Sequence, residues 1–360
     1  MSIVAPVERS GGVGPGHDLG ATAPAHRTPA APSRSTARNG AALLVGLVFL
    51  GLALLVGFRA AAGQTWDVDE RAFHDTLVSM HHGEGPYAAL RDALITKEGA
   101  APSNVRAYRL PTLAWLQALV PVGSLRWLVA IPFATMLWAA WRIGRPHGPW
   151  GGTASVALVG LWIVGASPLL YLHHEIWAAP LLLAGLAVVD RRPRLAAVLL
   201  GGAVAIRELF AAAFVAGLAL HRRSRTWWAV TGVLAAGGIA HVIVASRYLD
   251  PDGVQPALAW DGFQLGSIGP AGSIAGAVLG VVGGGLGLLG AAALARRGSN
   301  DGRIAVVHGV LAMVATIAVG RTYWGYSWGP ALACFAPAGW AALRGRIAGE
   351  PTSLSPAPAS

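Results

Sequence analysis

The chain has 360 residues, of which 54% are hydrophobic and only 12% are charged, and its mean hydropathy is +0.53. Soluble domains carry about a quarter of charged residues, so this composition argues against a soluble fold. The net charge of +10 does not indicate a nucleic-acid partner, because 17 of the 27 basic residues lie in the N-terminal tail or in short Arg clusters between apolar segments. Arg clusters in short loops are typical of the cytoplasmic side of a membrane protein.

The N-terminal part predicts a tail, an anchor and a large loop. Residues 1–39 are rich in Ala, Pro, Gly, Ser and Arg and predict a disordered cytoplasmic tail. The apolar segment 40–58 is too long and too far from the N-terminus for a cleaved signal peptide, so it predicts a signal anchor. Residues 59–109 then form an extracytoplasmic loop, in which residues 70–80 predict a short helix along the membrane surface.

The rest of the chain predicts further membrane spans at residues 125–141, 153–167, 176–189, 228–248, 273–294, 304–320 and 327–343. Segment 195–220 has Arg clusters at both ends and is too short for two crossings, so it predicts a re-entrant hairpin with its tip at residues 206–210. Segment 111–121 is too short to cross and predicts an interfacial or dipping helix.

The predicted fold is therefore an all-α, polytopic transmembrane bundle of about eight full spans plus these two short segments. It occupies residues 40–346 and is followed by a disordered C-terminal tail, 347–360. The interpretation gives a multi-pass protein of the plasma membrane with a cytoplasmic N-terminus. The single cysteine, Cys334, permits no intrachain disulfide and no cysteine-based metal site.

Two aspartates stand at the start of the large loop, in the segment WDVDERAFH. Asp67 and Asp69 are held near the outer membrane surface, where a carboxylate can act as a general base on an acceptor hydroxyl. Two neighbouring carboxylates also raise one another's pKa, which suits a base. The alternative is an ordinary acidic, solvated loop.

Arg207 and Glu208 interrupt an apolar segment, and charges inside a membrane are functional hypotheses by default. At the tip of the hairpin, Arg207 would face an outer cavity and bind a phosphate. The alternative is an ion pair of Arg207 with Glu208 or Glu175 that serves helix packing.

Two sets of residues are candidate ligands for a divalent metal together with Asp67 or Asp69. The alternative is polar anchoring of helix ends at the membrane surface, and no metal is required by the prediction. The two sets are His81, His82 and Glu84 in the first loop, and His173, His174 and Glu175 before the span at 176–189.

Near the C-terminus, the segment GRTYWGYSWGP combines an arginine with aromatic side chains. These aromatics predict a membrane-interface belt, and they also suit stacking on a sugar. The glycine-rich segment 280–290 predicts a helix-packing face rather than a phosphate loop. The candidate binding residues of the aromatic segment are Arg321, Tyr323 and Trp324.

The order of several loose motifs resembles the GT-C glycosyltransferases, in particular the bacterial polyprenyl-phosphate-mannose-dependent mannosyltransferases. The motifs are DERAF at residues 69–73, GEGPY at 83–87, YRLPTL at 108–113, HHEIW at 173–177 and AIRELF at 205–210. Phe73 and Leu110 stand where the family has Tyr and Pro. The resemblance covers roughly residues 44–228, with a vaguer match at YWGYSWGP.

The resemblance implies transfer of a hexose or pentose from a polyprenyl-phosphate donor to a lipid or glycan acceptor of the cell envelope, on the outer face. It implies Asp69 or Asp67 as the base, Arg207 as a phosphate contact and Arg109 as a second one. Tyr87, His174, Glu175 and Glu208 complete the candidate substrate site. The competing interpretations are a transporter or lipid flippase and an inactive scaffold of envelope assembly.

Overall fold

The computed structural model describes residues 34–61, 68–105, 108, 110–165, 172–253, 274–319 and 325–347, and all regular elements in these ranges are helices. The first eight are α1 (Arg34–Ala61), α2 (Val68–His81), α3 (Pro86–Glu98), α4 (Thr112–Ala118), α5 (Val122–Leu128), α6 (Ala130–Gly144), α7 (Gly151–Gly165) and α8 (His174–Val188). The others are α9 (Pro193–Ile206), α10 (Ala211–Leu220), α11 (Arg225–Ala245), α12 (Ile274–Arg296), α13 (Asn300–Val319), α14 (Gly325–Ala333) and α15 (Ala336–Ile347), with 3₁₀ turns at Glu208–Phe210 and Ser246–Tyr248.

In the described ranges, four helical stretches are long and apolar enough to cross a membrane: Ala37–Val56, Val122–Gly144, Arg225–Tyr248 and Val278–Arg296. They coincide with four of the predicted spans. The predicted spans at 153–167 and 176–189 appear as helices of 15 residues, α7 and α8. Such a helix is about 22 Å long, shorter than the hydrocarbon core of a bilayer. The all-helical fold is confirmed, and the count of about eight spans stays a prediction.

The helices build one bundle around α6, α7 and α8. Helix α1 packs on α7, α8 packs on α6 and α9, and α12 packs on α13, α14 and α15. Helix α11 lies at the periphery of the bundle, as only 6% of its most apolar stretch is buried. Helix α1 begins at Arg34 and so extends into the segment that the sequence predicted as disordered. The helix predicted at 70–80 is present as α2, and its placement along the membrane surface stays a prediction.

The predicted hairpin at 195–220 is present as α9 and α10. The helix ends at Ile206, and Arg207 takes an extended conformation with φ −149° and ψ 117°. A Cβ added to Gly201 would lie 3.6 Å from Phe214, so α10 folds back along α9. Residues 203–211 contain neither Pro nor Gly, so backbone propensity does not explain the break. The ion pairs of Arg207, described below, provide the reason.

The predicted span at 327–343 is not one continuous helix. Helix α14 ends at Ala333 and α15 starts at Ala336. Pro337 lacks the N–H that would bond to the carbonyl of Ala333, which favours an interruption here. The carbonyl of Cys334 accepts a hydrogen bond of 2.8 Å from the hydroxyl of Ser155 in α7. A side chain of a neighbouring helix thus satisfies a backbone group that the break leaves free.

The glycine-rich segment of α12 packs closely against α14 and α15, as predicted. A Cβ added at Gly287 would overlap the carbonyl of Leu332, and one added at Gly290 would overlap the carbonyl of Phe335. Small residues let helix backbones approach one another in a membrane, where van der Waals contact drives helix association. Gly285, in the same helix, has open space at the corresponding position.

Three of the predicted Arg clusters meet at one end of the bundle, which we call the arginine end. Arg142 lies within electrostatic range of Arg191 and Arg192. Burial, followed by the charge of Arg297, lowers the pKa of His147. The carboxylate of Asp190 accepts hydrogen bonds from the hydroxyl of Ser299 and the backbone of Asn300, joining the α8–α9 and α12–α13 turns. Helices α2, α3 and α4 lie at the opposite end, which we call the loop end.

The glycine contact predicts a position-specific effect. Gly287→Ala should lower the free energy of unfolding by about 1–3 kcal/mol, because the methyl group forces the backbones of α12 and α14 apart. Gly285→Ala should be neutral or slightly stabilising, since Ala is the better helix former. Thermal unfolding of both variants in detergent, followed by intrinsic fluorescence, measures the difference. Equal stability of the two variants would contradict the packing.

The segregation of charge predicts which residues face each side. Glu84→Cys, at the loop end, should react with a membrane-impermeant maleimide in intact cells. Arg223→Cys should react only after the membrane is permeabilised. The native Cys334 is buried and should give no background label. Labelling of position 223 in intact cells would reverse the predicted orientation.

Candidate functional site

The loop end contains a buried arginine between two carboxylates. The Nε of Arg207 donates a 2.7 Å hydrogen bond to Oε1 of Glu175, and its Nη1 donates one of 2.7 Å to Oε1 of Glu208. The exposed fractions of the side chains are 2% for Arg207, 6% for Glu175 and 56% for Glu208. We call these three residues the ion triad. Charge-assisted bonds of this length are strong, and they fix the guanidinium.

The topology explains why these residues meet. Helices α8 and α9 are antiparallel, and Glu175 and Arg207 are equally far along the chain from Arg191 in the turn that joins them. Contacts of Gly185 with Leu200 and of Gly202 with Leu181 set this register. The first turn of α8 therefore lies beside the end of α9. The extended backbone at Arg207 directs its side chain to both carboxylates. If the helix continued, the charged side chain would lie in an apolar environment.

The loop helices cover this end of the bundle and enclose a cleft. The ring of Phe73 in α2 lies 5.1 Å from the ring of His174, the neighbour of Glu175. The cleft is small and open at its mouth, and the figure of about 440 Å³ for its volume includes the adjoining open solvent. Its walls come from α2, α3, α4 and the start of α8, and they are mostly apolar. The lining residues include Phe73, Thr76, Pro86, Tyr87, Leu110, Pro111, Gln117 and His174.

A cluster of aromatic residues ties the loop helices to α11. The hydroxyl of Tyr87 hydrogen-bonds Nδ1 of His241 at 2.8 Å, and the backbone of Tyr108 lies near the same imidazole. Tyr87 stacks on Tyr248, with ring centroids 5.9 Å apart. The hydroxyl of Tyr108 donates a 2.9 Å hydrogen bond to the carbonyl of Tyr248. His241 also lies within electrostatic range of Glu208, so the cluster borders the ion triad.

Burial governs the ionisation of the two loop tyrosines. It raises the pKa of Tyr87. Burial also raises the pKa of Tyr108 to about 12, against a smaller opposing effect of the nearby Arg91. Both phenols therefore remain protonated at physiological pH and serve as hydrogen-bond donors.

The structure brings together five of the residues predicted for the site. His174, Glu175, Arg207 and Glu208 are neighbours at the loop end, and Tyr87 reaches them through His241. Both ion pairs that the sequence allowed as the packing alternative are formed. A phosphate at Arg207 would have to compete with a carboxylate, so the phosphate role stays a prediction.

The remaining predicted site residues are only partly within the described structure. Asp69 is the second residue of α2 and precedes Phe73 by one helical turn, but its side chain is not described. The other predicted residues lie outside the described ranges; they are Asp67, Arg109, Arg321, Tyr323 and Trp324.

Among the described residues, no group of three His, Cys, Asp or Glu side chains is close enough to hold a metal ion. The two predicted sets are separated. His81 bonds the carbonyls of Leu77 and Val120 at the end of α2, whereas His174 lies against Phe73 at the start of α8.

The sequence interpretation missed two histidines. His241 lies in an apolar segment that predicts only a membrane span, and a lone polar residue there was the available signal. His308 in α13 is fully buried, hydrogen-bonds the carbonyl of Ser327 at 2.8 Å and stacks on Phe210 beside the ion triad. It thereby connects the α9–α10 break to α14.

Comparison of the chain with family models, with curated proteins and with solved structures gives no match.

The ion triad predicts a non-additive effect on stability. Arg207→Met should cost about 3–5 kcal/mol, because it removes the cation against which the buried Glu175 lies. The double variant Arg207→Met/Glu175→Gln should recover part of this loss. Arg91→Met, which breaks the exposed pair with Asp92, should cost only about 0–1 kcal/mol. Chemical unfolding in micelles measures all three, and equal costs for positions 207 and 91 would contradict the buried pair.

Tyr108 predicts a loss of stability at alkaline pH. The pKa of its phenol is about 12 in the folded protein and about 10 when unfolded, so the folded state keeps its proton longer. The stabilisation that the buried, protonated phenol gives to the folded state is fully present below pH 10. It is lost as the pH rises from about 10 to 12. Unfolding followed across this range should show a shallower alkaline decline for Tyr108→Phe than for the wild type. Identical declines would show that the phenol is exposed.

Proposed function

We propose that this protein is a membrane glycosyltransferase that transfers a sugar from a polyprenyl-phosphate donor to a lipid or glycan acceptor of the cell envelope. The proposal assigns the chain to the GT-C type and places the reaction at the loop end, on the extracytoplasmic side. One observation carries it. Four separate motif segments border the same cleft, through Phe73, Tyr87, Pro111 and His174.

The proposed chemistry matches the chemical character of this region. A polyprenyl chain requires an apolar environment, which the peripheral helices supply. The phosphate of the donor requires a cation, and Arg207 is held beside the start of α8, whose His174 lines the cleft. A sugar packs well against aromatic and apolar walls of the kind that this cleft has.

In the proposed reaction, an acceptor hydroxyl attacks the anomeric carbon of the donor. Asp69 or Asp67 takes the hydroxyl proton, the new glycosidic C–O bond forms, and the bond from the anomeric carbon to the phosphate oxygen breaks. Polyprenyl phosphate leaves with the bonding electrons, and the anomeric configuration inverts. Arg207 stabilises the negative charge that develops on the phosphate.

The position of α2 supports the choice of base. Its first turn carries Asp69, and its second turn contacts His174 through Phe73. Asp69 therefore lies one helical turn before Phe73, a residue that lines the cleft.

Separate Asp69→Asn and Asp67→Asn variants test the function. In the first assay, membranes that contain each variant are supplied with radiolabelled polyprenyl-phosphate hexose. In the second, each variant is expressed in a deletion strain and the envelope glycans are profiled by mass spectrometry. Loss of the base should lower product formation by roughly 10²–10⁴-fold in one of the two variants. Asp75→Asn is the matched control, because Asp75 lies on the same helix with its side chain 51% exposed.

Two results would contradict the proposal. The first is an envelope glycan profile that is unchanged in the deletion strain, or full restoration of a changed profile by both asparagine variants. The second is movement of labelled donor across the bilayer without any glycosylated product, which would indicate a transporter or flippase.

A further inference from the structure

The two carboxylates of the ion triad differ in their surroundings. Glu175 lies in the interior between α8 and α9, with its side chain 6% exposed. Glu208 binds the other side of the guanidinium, yet 56% of its side-chain surface is accessible. Arg207 itself is only 2% exposed. The Glu208 carboxylate therefore lies on the accessible side of an otherwise enclosed cation.

The bonds within the triad work against binding of an anion in this state. Two N–H groups of the guanidinium, on Nε and Nη1, are already bonded to carboxylates. A phosphate uses the same acceptor geometry toward a guanidinium as a carboxylate does. Only 2% of the Arg207 side chain is exposed, so a phosphate that arrives from the surface competes for the guanidinium with the accessible carboxylate, Glu208.

Glu208 is the carboxylate that can leave. An exposed carboxylate loses little when its ion pair opens, because water replaces the lost contact. A buried carboxylate has no such replacement, so Glu175 stays with Arg207 and holds the guanidinium in place. Glu208 lies in a 3₁₀ turn between two helices, where a change of side-chain rotamer disturbs no helical hydrogen bond.

The displaced carboxylate would stay near the aromatic cluster. His241, which hydrogen-bonds Tyr87, lies within electrostatic range of Glu208.

We propose that Glu208 occupies the place of the donor phosphate on Arg207 and gives way to it when the lipid-linked donor binds. The inference rests on the proposed function and specifies how its site is regulated. In the empty state the carboxylate neutralises the buried cation. In the loaded state the phosphate replaces it, and Glu175 alone keeps the guanidinium oriented.

Binding of polyprenyl monophosphate to the full-length protein in lipid nanodiscs tests this exchange. The affinity of Glu208→Gln should be about tenfold higher than that of the wild type. If the Glu208 carboxylate occupies the phosphate site for roughly nine-tenths of the time, only about one-tenth of the wild-type protein is free to bind, and its apparent affinity is about tenfold lower. Glu208→Asp keeps the charge and should bind more weakly than Glu208→Gln. Asp92→Asn removes one exposed charge elsewhere in the first loop and should leave the affinity unchanged.

Two comparison probes separate the sources of phosphate binding. Polyprenol has the same tail without the phosphate, and phosphatidic acid offers a lipid phosphate without the polyprenyl chain. The exchange predicts that Glu208→Gln raises the affinity for polyprenyl monophosphate and leaves that for polyprenol unchanged. A gain restricted to phosphatidic acid would overturn the link to the donor.

The remaining outcomes distinguish this inference from the proposed function. If wild type and Glu208→Gln bind polyprenyl monophosphate equally, and both bind it more tightly than polyprenol, the exchange is wrong and the proposed function stands. A weaker affinity of Glu208→Gln would make Glu208 a donor contact and would also overturn the exchange. If neither protein prefers the phosphate over polyprenol, both the inference and the proposed donor are wrong.

Discussion

The structure depends on the placement of a single positive charge. The charge of Arg207 would be energetically unfavourable in an apolar environment. Helix α9 ends at Ile206, and the guanidinium is bonded to Glu175 and Glu208, which offsets this unfavourable energy. That break separates α9 from α10 and makes a hairpin of a segment too short to cross twice. It also fixes the start of α8 beside the end of α9, where His174 contacts the loop helix α2. The ion triad thus determines both the local fold and the position of the cleft.

Much of the fold could be predicted from the sequence, because the apolar segments and the charges that interrupt them carry strong signals. The break at residues 206–210 followed from Arg207 and Glu208, and the packing role of the glycines in α12 followed from their setting among apolar residues. The interruption at Cys334 was missed, since its signals, Pro330 and Pro337, were outweighed by continuous hydropathy. Its stabilising contact comes from Ser155, which is distant in sequence.

The candidate site was predictable in its residues but not in its connections. Separate motifs indicated Tyr87, His174, Glu175 and Arg207, yet no local pattern shows that Glu175 and Arg207 share one level of the bundle. That fact depends on the register of α8 against α9. The role of His241 was missed for the same reason, because its partner Tyr87 lies in a different part of the chain. Long-range register, rather than residue type, determines which of the polar residues interact.

The peripheral position of α11 has a mechanical consequence. Its flank faces outward along most of its length, while its far end is fixed to Tyr87 and Tyr108 through His241 and Tyr248. A membrane helix relieves a mismatch with bilayer thickness by tilting. If α11 spans a bilayer, a tilt of this helix would pull on the same tyrosines that hold the loop helices beside the cleft. The thickness of the surrounding lipid would then act on the position of these loop helices.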